Sequence, residues 1–94
     1  MDHTVYTQKD EIRRIARKWG AEDIRLIGSV ARGDARPDSD VDFLVRLEAG
    51  RTLLDLGGLQ SDLQDLLGCP VDIATESGLK ASFRESVMSE ARAL

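Results

Sequence analysis

The amino-acid sequence predicts an α/β fold of the α+β kind, a small mixed sheet packed with helices in the order αβ(α)βαβα. Three observations predict it. Apolar residues recur at helical spacing in two long stretches, 12–19 and 53–67. Short apolar and β-branched runs, DIRLI, VDFLVRL and VDIA, lie between the helical stretches. Between the second and third runs lies a segment long enough to form a crossover helix, which a parallel strand pair requires.

Taken in order, Thr7 is positioned as a helix N-cap, with Asp10 three residues on as its capping-box partner. Ile12, Ile15, Ala16 and Trp19 follow on one face, and Gly20 is the stop, so helix one covers about residues 8–19. Its outer face carries Arg13, Arg14, Arg17 and Lys18, a pattern that suits a solvated surface or a partner surface. Residues 23–27 read as the first strand, ended by Gly28-Ser29. Ser29 is a good cap for a short helix over residues 30–32, and residues 32–39 read as loop. Residues 41–47 read as the second strand. Thr52 with Asp55 predicts a second capped helix. Leu53, Leu56, Leu59, Leu63, Leu66 and Leu67 form its apolar stripe, and Gly68 ends it. Gly57 and Gly58 inside it each cost ~1 kcal/mol relative to alanine. Residues 71–74 read as a short third strand. The last helix begins at Ser77 or Ser82, with Leu79, Phe83 and Val87 on one face.

Composition narrows the function classes. The chain of 94 residues suits a single domain over residues 1–94. A chain of this size buries somewhat over ~60% of its unfolded surface, enough for one core but not for a deep pocket as well. The net charge is −4. A general nucleic-acid binder needs a basic footprint, so direct nucleic-acid binding is not expected. Aromatic residues are 4%, too few for a base-stacking platform. The single cysteine, Cys69, excludes an intrachain disulfide and suits a reducing compartment. No apolar run approaches membrane-spanning length and the N-terminal stretch does not read as a signal peptide, so a cytoplasmic protein is expected. His3, the only histidine, lies near the terminus and is not expected to be a ligand.

The chemistry concentrates in residues 28–45, GSVARGDARPDSDVDFLV. Side chains alternate along a strand, so Asp40 and Asp42 point to one side and Val41 and Phe43 to the other, into the core. Two neighbouring carboxylates repel unless a cation sits between them. Magnesium takes hard oxygen ligands, commonly one or two carboxylates together with substrate phosphates. On their own these acids also suit a solvated strand edge. Asp38 and Ser39 read as turn formers after Pro37. Gly28 adds weight to the metal reading, because glycine lets a backbone approach a phosphate closely. The Ser29 hydroxyl can donate to a phosphate oxygen, and a following helix start favours an anion. Gly28 ends strand one while Asp40 and Asp42 begin strand two. They meet only if these strands run antiparallel. Asp72 begins strand three and joins them only if that strand runs parallel to strand two. It is otherwise an edge-strand charge.

The pattern G-S-x-A-R-G followed by D-S-D-x-D in residues 28–42 resembles the nucleotidyltransferase superfamily that includes DNA polymerase beta. The short chain resembles its minimal nucleotidyltransferase (MNT) branch, from the first helix to the last. The resemblance implies the nucleotidyltransferase fold. It implies that Gly28 and Ser29 hold the nucleotide triphosphate and that Asp40 and Asp42 bind two Mg²⁺ ions. It implies that Asp72 helps hold one ion and activates the attacking hydroxyl. Arg32 matches the family arginine, with a role open between structural support and nucleotide binding. Asp38 matches a position of unclear duty. The family pattern further implies ATP as co-substrate and a HEPN-type ribonuclease toxin as partner in a hetero-oligomer. AMP would pass to a tyrosine hydroxyl of that toxin and silence it. Two other functions remain open at this point: an antitoxin that only occludes its toxin, and a transferase acting on a small molecule.

Overall fold

The computed structural model describes residues 3–33, 40–79 and 81–94. Its elements are α1 (His3–Thr7), α2 (Lys9–Lys18), β1 (Ala21–Ile27), α3 (Gly28–Arg32), β2 (Val41–Leu47), α4 (Leu53–Leu67), β3 (Val71–Thr75), a 3-10 turn (Glu76–Gly78), α5 (Ala81–Glu90) and β4 (Arg92–Ala93). The strands form one sheet in the order β3-β2-β1-β4. As the sequence predicts, β1 runs antiparallel to β2, and β3 runs parallel to β2 across the α4 crossover.

The central strand explains the layering. Val41, Phe43, Leu44 and Val45 are all buried, with Phe43 fully so, and only Asp42 interrupts the run. α2 contributes Ile12, Ile15 and Ala16 to the core, and α4 contributes Leu59 and Leu63. α4 starts where predicted. The Thr52 hydroxyl caps its first turn, and Asp55 accepts from the Thr52 N–H at 2.9 Å. Gly68, at φ +69°, stops it. The leucine stripe is shorter than the sequence predicts: Leu53 is 81% exposed. It sits in the first turn, ahead of the packed stretch that begins at Leu56.

Several boundaries move. Thr7 is not a cap; it ends α1, and α2 begins at Lys9 with Gln8 in the N-cap position and no side-chain cap hydrogen bond. The cause is Val5, buried in the core, which draws an extra helical turn onto the domain. β1 begins at Ala21 rather than residue 23, because Ala21 is buried and pairs with Leu47 across a register irregularity. Ser29 lies inside α3 and makes no cap hydrogen bond; Ile27 holds the extended N-cap conformation instead. A 3-10 turn capped by Thr75 follows β3, so Leu79 falls between elements and α5 begins at Ala81. β4 adds two residues opposite Arg25 and Leu26, too short a run to signal itself in sequence.

The two glycines of α4 differ in kind. Trp19 packs against α4, its indole N–H donating to Asp62 Oδ2 at 2.7 Å, beside the Lys18–Asp62 ion pair at 3.2 Å. A Cβ on Gly58 would lie 2.4 to 2.6 Å from the Trp19 ring, whereas one on Gly57 would meet nothing within 4 Å. Gly58 is therefore the seat of the tryptophan, and Gly57 is an unused weakness. Gly57→Ala is expected to stabilise by up to ~1 kcal/mol. Gly58→Ala is expected to destabilise by about 1–3 kcal/mol through overpacking. Chemical denaturation of the two variants checks the opposite signs.

Candidate active site

The sheet register builds the site. Ile27 of β1 lies opposite Asp42 of β2, and Asp42 lies beside Asp72 of β3. Paired residues of neighbouring strands share a face, so the two carboxylates stand side by side where the three strands meet. Asp42 is half-buried and Asp72 exposed. Asp40 lies one residue before β2 and is exposed. The Val41 N–H donates to the Pro70 carbonyl at 3.1 Å and ties the starts of β2 and β3 together.

Gly28 faces the same spot. Its φ is +75°, which L side chains rarely adopt, and a Cβ there would lie 2.4 Å from Asp42 Oδ2. The sequence offered close approach to a phosphate as the reason for this glycine. The structure supplies a second one: the Asp42 carboxylate itself occupies the space a side chain would need.

The electrostatics centre on Asp42. Burial pushes its carboxyl above the ordinary aspartate range. The Asp72 charge, the Asp40 charge and a hydrogen bond shared with Asp72 push the same way, while the Arg32 guanidinium pulls back. Two acids therefore bear on one half-buried carboxyl. Among the described residues no group of three acid, histidine or cysteine side chains is gathered into a ready metal cage. The donor chemistry still fits a hard divalent cation. It is all carboxylate oxygen, and a cation would relieve the charge crowding at Asp42.

Positioning comes from residues without a motif. β3 is an edge strand, and α4 satisfies its open side at Val71, immediately before Asp72. The Gln60 side-chain amide donates to the Val71 carbonyl at 2.7 Å, and the Val71 N–H donates to Gln64 Oε1 at 3.1 Å. Two glutamines four apart, so one above the other on a helix, were the available sequence signal. Arg32, at the end of α3, is exposed and donates from Nη1 to both carboxylate oxygens of Glu90 on α5, at 3.3 and 3.4 Å. No pattern in the sequence joins these two residues. Asp38 and Ser39 lie outside the described residues.

The chain is similar to known proteins along nearly its whole length. Residues 9–94 match the family model of the nucleotidyltransferase domain. The protein adenylyltransferase MntA of Thermococcus cleftensis is 37% identical over 90 residues, spanning 96% of this chain and 88% of its own. A candidate protein adenylyltransferase of Methanocaldococcus jannaschii is 34% identical, over 88% of this chain and 89% of its own. A solved structure of a candidate minimal nucleotidyltransferase superposes with a TM-score of 0.89 at 44% identity, covering 100% of both chains. A crystal structure of a toxin–antitoxin complex with AMP-PNP matches with a TM-score of 0.77 over 90% of this chain and 70% of its own. Its identity is 20%, so that likeness is one of fold.

Proposed function

Because the chain belongs to the nucleotidyltransferase domain family, we propose that it is an antitoxin that transfers AMP from ATP to a tyrosine hydroxyl of a HEPN-type ribonuclease toxin and so silences it. The observation that carries the reading is the row Gly28–Asp42–Asp72, which places a side-chain-free backbone against two adjacent carboxylates. Similarity to a protein adenylyltransferase over 96% of this chain supports the choice of acceptor class.

The residues take distinct roles. Gly28 and Ser29 bind the triphosphate, the first by leaving space and the second through its hydroxyl. Arg32 binds the same anion from the far end of α3. Asp40, Asp42 and Asp72 would hold Mg²⁺. When bound, the ions neutralise phosphate charge and lower the pKa of the hydroxyl. Asp72, the most exposed face of the carboxylate pair, accepts the proton of the attacking tyrosine hydroxyl. The tyrosine oxygen bonds to the α-phosphorus, the bond to the bridging oxygen of the β-phosphate breaks, and pyrophosphate leaves. The partner supplies the acceptor side of the site in a hetero-oligomer. Among the described residues no helix is long and apolar enough to cross a membrane, which suits a reaction in the cytoplasm.

Catalysis is separable from occlusion by stoichiometry. A substoichiometric amount of this protein with ATP and Mg²⁺ is expected to add AMP mass to all of a HEPN toxin preparation. The modified toxin is expected to stay inactive after the antitoxin is removed. Intact-mass spectrometry reads the outcome. An unmodified toxin, still protected at equal stoichiometry by the Asp40→Asn, Asp42→Asn double variant, would make the protein an occluder.

A further inference from the structure

We infer that Glu90, on the last turn of α5, is a positioning residue that holds the Arg32 guanidinium in place for the nucleotide triphosphate. The inference rests on the nucleotide-binding reading of the Gly28 site and goes beyond it, because no motif reaches α5.

The geometry starts from α3. Ser29 and Arg32 are three residues apart on one short helical turn, so they share a face. Gly28, the first residue of that turn, lies against Asp42. Arg32 is thus carried on the same small element that borders the carboxylates. A flexible arginine on a single turn of helix would lose rotamer entropy on binding an anion. Glu90 lessens that loss. It reaches Arg32 from 58 residues away, and both of its oxygens accept from the same nitrogen, Nη1. An arginine offers five N–H donors in one rigid plane, so tethering Nη1 narrows the range the remaining donors can sweep.

Stability does not account for the contact. The Arg32 side chain is 47% exposed, and ion pairs that open to solvent contribute little. The pair costs the protein something at an anion site, because Glu90 adds a negative charge beside a ligand that carries several.

That charge makes the test decisive in sign. On charge alone, Glu90→Ala would tighten binding of a triphosphate. As a positioning residue, Glu90 makes the same change weaken it. Calorimetry with Mg²⁺ and AMP-PNP is expected to show about five- to tenfold weaker binding in Glu90→Ala, with an unchanged melting temperature. In an Arg32→Ala background the same substitution is expected to change affinity less than twofold. Glu90→Asp, which keeps the charge, is expected to restore most of the lost affinity. Equal or tighter binding by Glu90→Ala overturns the inference, as does a loss that persists without Arg32. Failure of the underlying reading looks different: the unsubstituted protein itself would bind no AMP-PNP, and both proposals would fall together.

Discussion

Asp42→Asn is expected to lower the rate of nucleotidyl transfer by roughly three orders of magnitude, the scale of losing several kcal/mol of charge stabilisation. The metal-free protein is expected to melt at the same temperature or higher. The two halves of this result have one cause. The Asp42 carboxyl is half-buried, crowded by Asp72 and Asp40, and pushed above the ordinary aspartate range. Such a group opposes folding when charged, so removing its charge relieves the apo protein. The sign with pH follows. In the unfolded chain Asp42 loses its proton at the ordinary value; in the folded chain it holds the proton to higher pH. The charging penalty is therefore fully present above the raised folded value. It is relieved as pH falls through that value and is gone below the unfolded one. The stability advantage of Asp42→Asn is expected at neutral pH and shrinks toward zero as the medium becomes acid enough to protonate the wild-type group. Thermal melts in a chelating buffer across that range check it. A large fall in melting temperature at neutral pH without metal would make Asp42 a structural acid.

The strands were readable because each is a short apolar run bounded by turn residues, and β2 is central with both neighbours paired. Their directions were readable because Asp40, Asp42 and Asp72 could meet Gly28 in only one arrangement. The observed register confirms it at Asp42 and Asp72. Thr52-Asp55 and Thr7-Asp10 show why local pattern has limits. Both pairs have capping-box spacing, but only the first forms a capping box, because burial of Val5 overrides the second. The adjacent glycines of α4 look alike in sequence and differ only through Trp19, a tertiary contact. The site divides in the same way. Its motif residues were visible as residue types at fixed spacing. Gln60 and Gln64 showed only as a pair four apart on one helix and Glu90 not at all, since a supporting side chain is chosen by where it lies in space.

Gly28→Ala tests the most demanding contact in the site. Two costs are expected. The first is conformational: φ +75° is left-handed backbone, and placing alanine there costs about 1–2 kcal/mol. The second is steric: the new Cβ would lie 2.4 Å from Asp42 Oδ2, so the carboxylate must leave its place. Transfer activity is expected to fall by two orders of magnitude or more, since small misplacements at a reacting centre have effects of that scale. The two costs separate in a double-mutant cycle. Asp42→Ala removes the carboxylate and leaves the backbone strain. In that background Gly28→Ala is expected to destabilise only by the conformational part, less than it does beside an intact Asp42. Denaturant melts of the four proteins in metal-free buffer give the coupling. If the cost of Gly28→Ala is the same with and without the Asp42 carboxylate, the two residues do not compete for space. The glycine would then serve backbone conformation alone, and the close fit of the start of α3 against the Asp42 carboxylate would carry no weight in shaping the site.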